Sequence, residues 1–529
     1  MPAVGGRARR ALLVALTAIV LVTACTGDDD RASPASTTTG EPSGGGTMRL
    51  GVGGDLVVDP VAASLASPGE LMVLDLLHDG LTRLDAAGVA QPALATDWMA
   101  NDARTAFRFQ LDPDRTFASG DPVTPEDVIA SLERVMAAGD TSLTALSLEA
   151  VEGFRAFVVG DAEHVSGLTA LPGGIVRVGL ATPLSVLPEV LSNPMLSVVD
   201  ADTIEADDLE AVDLSGSWSP VPTDDDTVRV ERQEDTGAHL AAVELHAFSD
   251  DDAAYGAFER GEVDWAEVPS ARYDDAVDGY GDDAFAPFHA ELYFGMNVSS
   301  QNLGNAAFRQ AIALAIDRDA ITDTVYADLA DPLASVVPAG VVGHDPDRCG
   351  PCAHDPGTAA DIVSFIFPDG DVPTVRIDFD ESTPQDGMAE LIAGDLEEVG
   401  IPTELRPLPL DDYKRFVVSG DQELFSFGWI GAYGSPDAYL APLFGSAAND
   451  NLTDFRSELV DGLLDRARAG ADASENAERW TVAEARILEA WVIVPVAQFR
   501  TQVVVAQRVE GFAHAVDGTV DWTEVRLLA

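Results

Sequence analysis

The sequence predicts an α/β fold built in more than one lobe, and two observations lead there. The chain has 529 residues, 46% hydrophobic and 23% charged, more than one core holds, since single cores stop growing at about 250–300 residues. Between Thr374 and Leu408 the apolar pattern changes from alternation to helical spacing and back, as a strand–helix–strand unit requires. The composition excludes a disordered chain, a collagen and a small disulfide scaffold.

Each element follows from local spacing. Thr374–Asp380 (TVRIDFD) alternates apolar and polar residues and is rich in β-branched ones, the pattern of a half-buried strand. Met388, Leu391, Ile392, Leu396 and Val399 then recur at helical spacing, Gly400 stops the helix, and Ile401–Leu408 returns as a strand. Such a unit closes right-handed, with parallel strands. Upstream, Thr124 caps a helix whose first residue is Pro125 and whose buried face is Val128, Ile129, Leu132 and Val135. Phe308, Ile312, Ala315, Ile316 and Val325 mark another helix, entered from Asn305. No repeat of solenoid period is present.

Charge removes one class of function. Against 31 basic side chains stand 90 acidic ones, a formal net charge of −59, and Lys414 is the one lysine. Such a surface repels nucleic-acid phosphates and anionic lipid headgroups. Two origins stand side by side: solubility in concentrated salt, which screens self-repulsion, or a GC-rich genome favouring Asp, Ala and Arg codons.

The amino terminus reads as an address. Arg7, Arg9 and Arg10 precede an apolar or small run, Ala11–Ala24, too short for the roughly 20 residues of a membrane-spanning helix. Residues 1–24 are therefore expected to be a signal peptide. Val22-Thr23-Ala24-Cys25 resembles a bacterial lipobox, which implies a diacylated Cys25; the plainer alternative is a signal peptide with an incidental cysteine. Two acyl chains anchor stably where one is marginal. Residues 25–47 would then be the lipidated cysteine and a Gly/Ser/Thr/Pro tether, a coil of about 25 Å. The expected location is the extracytoplasmic face of a bacterial membrane.

Two cysteines remain, Cys349 and Cys352, and outside the cell a local disulfide is the favoured state. Cys349-Gly350-Pro351-Cys352 matches a thioredoxin-type tetrapeptide, but Pro346 and Pro356 flank it, and a loop lacks the helix N-terminus that activates such a thiol. A zinc site with His344 and His354 has suitable ligand types but needs reduced thiols.

A set of collinear motifs carries a family resemblance. They are Pro92-Ala93-Leu94-Ala95-Thr96-Asp97-Trp98, Phe107–Leu111, Phe117–Val128, Gly261-Glu262-Val263-Asp264, Phe294–Asn297 with Phe308–Arg318, Asp395–Ile401, and Gly428-Trp429 with Ser435-Pro436-Asp437. From about residue 48 onward the chain resembles the family 5 extracellular solute-binding proteins, the oligopeptide-, dipeptide- and nickel-binding subunits of ABC importers. The resemblance implies a two-lobed periplasmic-binding-protein-like fold with hinge strands. Lobe one would be 48–285, carry an extra subdomain and be completed by 491–529; lobe two would be 286–490. Phe288–Val298 and Val492–Phe499 would be the hinge crossings. Most motif residues, Arg309 and Asp317 among them, are expected to be scaffold.

The resemblance also implies a site. Gly53, Gly54, Asp55 and Leu56 would form the lobe-one wall of the cleft, with Trp429 and Tyr433 as walls in lobe two. Peptide-binding members hold the peptide as an added strand. They place an aspartate three residues after the tryptophan to meet the peptide's ammonium, and that position is Ala432. Either Asp437 or another carboxylate substitutes, or the solute has no free amine. Residues 213–226 also depart from the family pattern. The implied partners are an ABC permease, a peptide or other small solute and the membrane lipid, with a monomeric chain, no cofactor, no metal and no nucleic acid. HExxH, Gly-x-Ser-x-Gly and GxxxxGK[ST] are absent from the sequence, so an enzyme is not expected. The competing readings are an amine-blocked peptide, metal chelate or sugar as ligand, and a thiol oxidoreductase built on Cys349 and Cys352.

Overall fold

The computed structural model describes residues 42–528, apart from 44, 86–87, 140–141, 205–211, 224–226, 233–239, 282–283, 327–328, 347, 349–352, 472 and 516. Cys25, Cys349 and Cys352, with the signal and most of the tether, lie outside the described residues. Val375–Asp380 pairs in parallel with Thr403–Leu408, and the helix Thr383–Glu398 connects them. Its Met388, Ala389, Ile392 and Leu396 are buried, so the apolar stripe faces the core. Gly400 adopts φ +86°, which only glycine does without strain. The return strand begins at Thr403, not at the expected Ile401. The Ile401 N–H donates to the Leu396 carbonyl at 2.9 Å, and Pro402 has no N–H to offer a ladder.

The helix Pro125–Met136 starts as its sequence requires. Asp127 accepts from the Thr124 N–H at 2.8 Å, and the Thr124 hydroxyl accepts from the Asp127 N–H at 3.3 Å, a reciprocal cap typically worth about 1 kcal/mol. Val128, Leu132 and Val135 are buried, and the helix packs on an antiparallel four-stranded sheet in the order 95–100, 106–111, 175–179, 168–171. The helix entered from Asn305 is shorter than its apolar pattern suggested. It spans Ala306–Ala315, Ile316 is extended, and Asp317 caps a separate helix, Arg318–Ile321, by accepting from Ala320 N–H at 3.0 Å. Arg309 is buried and donates to the carbonyls of Leu303 at 2.9 Å and Trp491 at 3.0 Å. It thereby satisfies loop groups that would otherwise be stranded.

Two six-stranded sheets organise the rest. The first runs 503–505, 265–267, 46–53, 240–248, 227–232, 218–221; the second runs 330–332, 493–500, 287–296, 424–430, 375–380, 403–408. The chain passes from first to second between Glu267 and Pro287, and returns between Arg500 and Val503. These passages adjoin: Thr501 N–H donates to the Ala286 carbonyl at 2.8 Å, and Ala286 N–H to the Thr501 hydroxyl at 3.1 Å. The C-terminal segment is tied to the first sheet, because Asp264 receives both Arg49 and Arg508.

Asp75, on the helix Pro68–Leu77, accepts from the Val520 N–H at 3.1 Å and holds the C-terminal loop. Burial pushes its carboxyl up to about 7, while an unfolded aspartate titrates near 4. The folded state therefore keeps a proton that the unfolded state loses, so stability falls as pH rises from about 4 through about 7. Asp75→Asn should melt a few degrees above wild type at pH 8 relative to their difference at pH 5. A melting difference that does not change with pH contradicts this.

Candidate functional site

A cavity of about 280 Å³ lies where the two passages meet. Ser67 and Pro68 at the start of a helix, with Asp251 and Glu267, line it from the first sheet's side; Phe288, Ala290 and Phe499 line it from the second. Glu267 accepts from the Gly69 N–H at 2.9 Å. Burial, with the Asp251 charge adding, pushes its carboxyl up to about 7. The Gly53 position is bounded by Asp251, because a Cβ there would lie 2.1 Å from the Asp251 carboxylate and 2.5 Å from its backbone nitrogen. Gly54, at φ +83°, donates to the Phe248 carbonyl at 2.8 Å. Asp55 is exposed, and Leu56 is half-buried against the first sheet's core. Gly53–Leu56 thus stand beside this cavity through Asp251 without lining it.

On the second sheet, Trp429 is half-buried near the end of the strand Leu424–Ile430, its indole N–H donating to the Ala438 carbonyl at 2.8 Å. Ala432 is buried, and its carbonyl accepts the Asn193 amide from the other side of the molecule. Tyr433 is buried and donates to Asp437 at 2.8 Å. Asp437 is fully buried, and Arg468 donates to it twice, at 2.6 and 3.0 Å. Burial first, and the Asp437 charge second, raise the Tyr433 hydroxyl well above its ordinary range. Asp437 is therefore already neutralised from within. Trp429, Tyr433 and Asp437 form one neighbourhood, and Gly53–Leu56 form another.

Pattern reading did not single out several groups near the site. Glu291 faces Trp429 across the strand pair and is buried, with both carboxylate oxygens unpartnered among the described residues. Burial raises its carboxyl well above the usual range. The signal for it was present: an acid inside the mostly apolar strand Pro287–Met296. Two larger cavities complete the picture. One of about 550 Å³ holds Arg83, Arg115, Asp79 and Asp521, and these pair with one another, Arg115 with Asp79 and Arg83 with Asp521. The other, about 390 Å³, lies between the four-stranded sheet's region and a wall formed by Gly434, Ser435, Pro436, Ala471 and Trp480. Arg104 and Glu189 line it, and nothing in their local sequence marks them.

Residues 89–451 match the family described as bacterial extracellular solute-binding proteins, family 5. The chain is 24% identical over 492 residues to a probable di/tripeptide-binding protein 5 of Pseudomonas aeruginosa, covering 85% of this chain and 90% of that protein. A heme-binding protein A of Haemophilus influenzae is 27% identical over 236 residues, 43% of this chain and 42% of the relative. In three dimensions the chain is similar to the unliganded open form of the periplasmic murein tripeptide-binding protein MppA, with a TM-score of 0.80 at 18% identity, covering 93% of this chain and 99% of MppA. The fold is the two-lobed one of periplasmic binding proteins, one six-stranded sheet to each lobe, and the chain belongs to the family 5 bacterial extracellular solute-binding proteins.

Proposed function

We propose that this chain is the solute-capturing subunit of an ABC importer of short peptides, anchored through Cys25 to the extracytoplasmic face of the membrane. The observation that carries the reading is the adjoining pair of passages at Ala286 and Thr501, with a cavity opening beside them. Two short links side by side let the lobes rotate about one line. A solute that touches both lobes favours the closed state by its differential affinity, and a permease reads that state. The proposed lobes are 48–285 with the C-terminal segment, and the stretch from 286 to the second passage. Strand Ile493–Arg500 pairs within the second sheet, so the second boundary is proposed at about 501, in place of 491.

Peptides are the favoured solute class because the relative that aligns over 90% of its length is a probable di/tripeptide-binding protein. A second reading, a solute without a free amine, draws support from Ala432 and from the engagement of Asp437 by Arg468. The proposed subunit is a monomer that performs no chemistry and carries neither cofactor nor metal. Among the described residues no helix is long and apolar enough to cross a membrane, and the proposed anchor is lipid.

Two outcomes test this. Residues 26–529 should melt higher with a true ligand, by the equivalent of about 2.7 kcal/mol at a hundredfold excess over Kd. A series from dipeptides to decapeptides, with free and acetylated amino termini, should contain at least one such ligand, and a series without a single shift contradicts the peptide reading. Cys25→Ser should move the protein from the membrane fraction into the soluble one. Retention in the membrane fraction contradicts the anchor.

A further inference from the structure

The 390 Å³ cavity is lined by an arginine and a glutamate that form no ion pair among the described residues. Arg104 donates to the Ala471 carbonyl at 3.2 Å, its Nε is buried without a partner, and among the described residues it forms no ion pair. Glu189 has one carboxylate oxygen buried without a partner and likewise forms no ion pair among the described residues. In the neighbouring 550 Å³ cavity, Arg115 pairs with Asp79 and Arg83 with Asp521. Arg104 is half-buried, and burial pushes the Glu189 carboxyl up to about 7, so a cation seated beside Glu189 would hold it ionised.

The backbone adds an independent sign. Arg104 sits at φ +54° in the turn after Asn101, a left-handed conformation disfavoured for any residue with a Cβ. Glycine or asparagine would relieve the strain, so an arginine held there points to a need for its side chain. The walls are Trp98 and Phe107 from the first lobe and Trp480 from the second, flat apolar faces that accept an apolar body.

From these observations we infer that this cavity is a seat for a small zwitterion with an apolar side chain, of dipeptide size. Its carboxylate meets Arg104, its ammonium meets Glu189, and its side chain rests on Trp98 and Trp480. A simple cation would leave Arg104 unanswered, a simple anion would leave Glu189 so, and a neutral solute would leave both. The volume lies at the lower end of the ~300–1,000 Å³ usual for small-molecule sites. Because the walls come from both lobes, occupancy also bridges them. The inference rests on the reading of the chain as a solute-capture protein, and it assigns the ammonium to Glu189 instead of to Ala432 or Asp437.

Calorimetric titration of the full chain with Leu-Phe, N-acetyl-Leu-Phe and Leu-Phe-amide tests it, using wild type, Glu189→Gln and Arg104→Gln, with melting curves to verify folding. In wild type, acetylation and amidation should each weaken binding about tenfold or more. The acetylation penalty should vanish in Glu189→Gln and the amidation penalty in Arg104→Gln, each variant keeping the other penalty. Penalties of unchanged size in both variants overturn the site while leaving peptide capture standing. If none of the three peptides binds wild type, the site falls, and the dipeptide-to-decapeptide melting series alone decides the peptide reading. Should a charge variant fail to fold, Ala477→Phe fills the cavity and keeps both charges. Loss of Leu-Phe binding then supports the seat, and undiminished binding overturns it.

Discussion

The reciprocal hydrogen bonds between Ala286 and Thr501 are the constraint on which the molecule turns. They hold side by side the passages that connect two otherwise separate sheets. Had these links been far apart, the sheets would form a rigid block; a single link would leave them loosely tethered. In the proposed closing motion, adjacent links would leave one soft direction, rotation about their common line. Cavities lie along that boundary, where small solutes fit, beside one continuous core that joins the four-stranded sheet's region to the second sheet.

The charges sort themselves by location. With 90 acidic residues against 31 basic ones, arginines are scarce, and most buried ones are committed to structure. Arg309 closes loop carbonyls, Arg49 and Arg508 share Asp264, and Arg468 neutralises Asp437. The last commitment matters for recognition. The carboxylate that sequence alone offered as a substitute for the aspartate absent at Ala432 is already bound within its own lobe. Arg104 reaches one carbonyl, that of Ala471, and no carboxylate among the described residues.

Much of the fold was legible because the information was local. The stripe Met388, Ile392, Leu396 and the stop at Gly400 specify a helix without reference to the rest of the chain, as does the Thr124–Asp127 cap. Phe288–Val298 and Val492–Phe499, expected as the crossings, are strands as their residues suggest, but both pair inside the second sheet and the chain passes between the sheets next to them. What failed was local in pattern but decided elsewhere. Apolar spacing carried the helix after Asn305 through Val325, yet Asp317 restarts the chain as a new helix. Ile401 looked like a strand residue, but the helix cap holds its N–H.

The candidate site was legible only in part, because its pairings are long-range. Trp429, Tyr433 and Asp437 do share a neighbourhood, but the Arg468 that occupies Asp437 lies on another helix. Gly53 is a glycine because of Asp251, far along the chain. No periodicity encodes Arg104 and Glu189 meeting across one cavity, and in so acidic a sequence no single carboxylate draws notice. The central claim is that two lobes swing together around a captured solute. Small-angle X-ray scattering of the full chain, with and without a solute that raises its melting temperature, measures this directly. The account predicts a smaller radius of gyration on binding; an unchanged radius at saturation would contradict it.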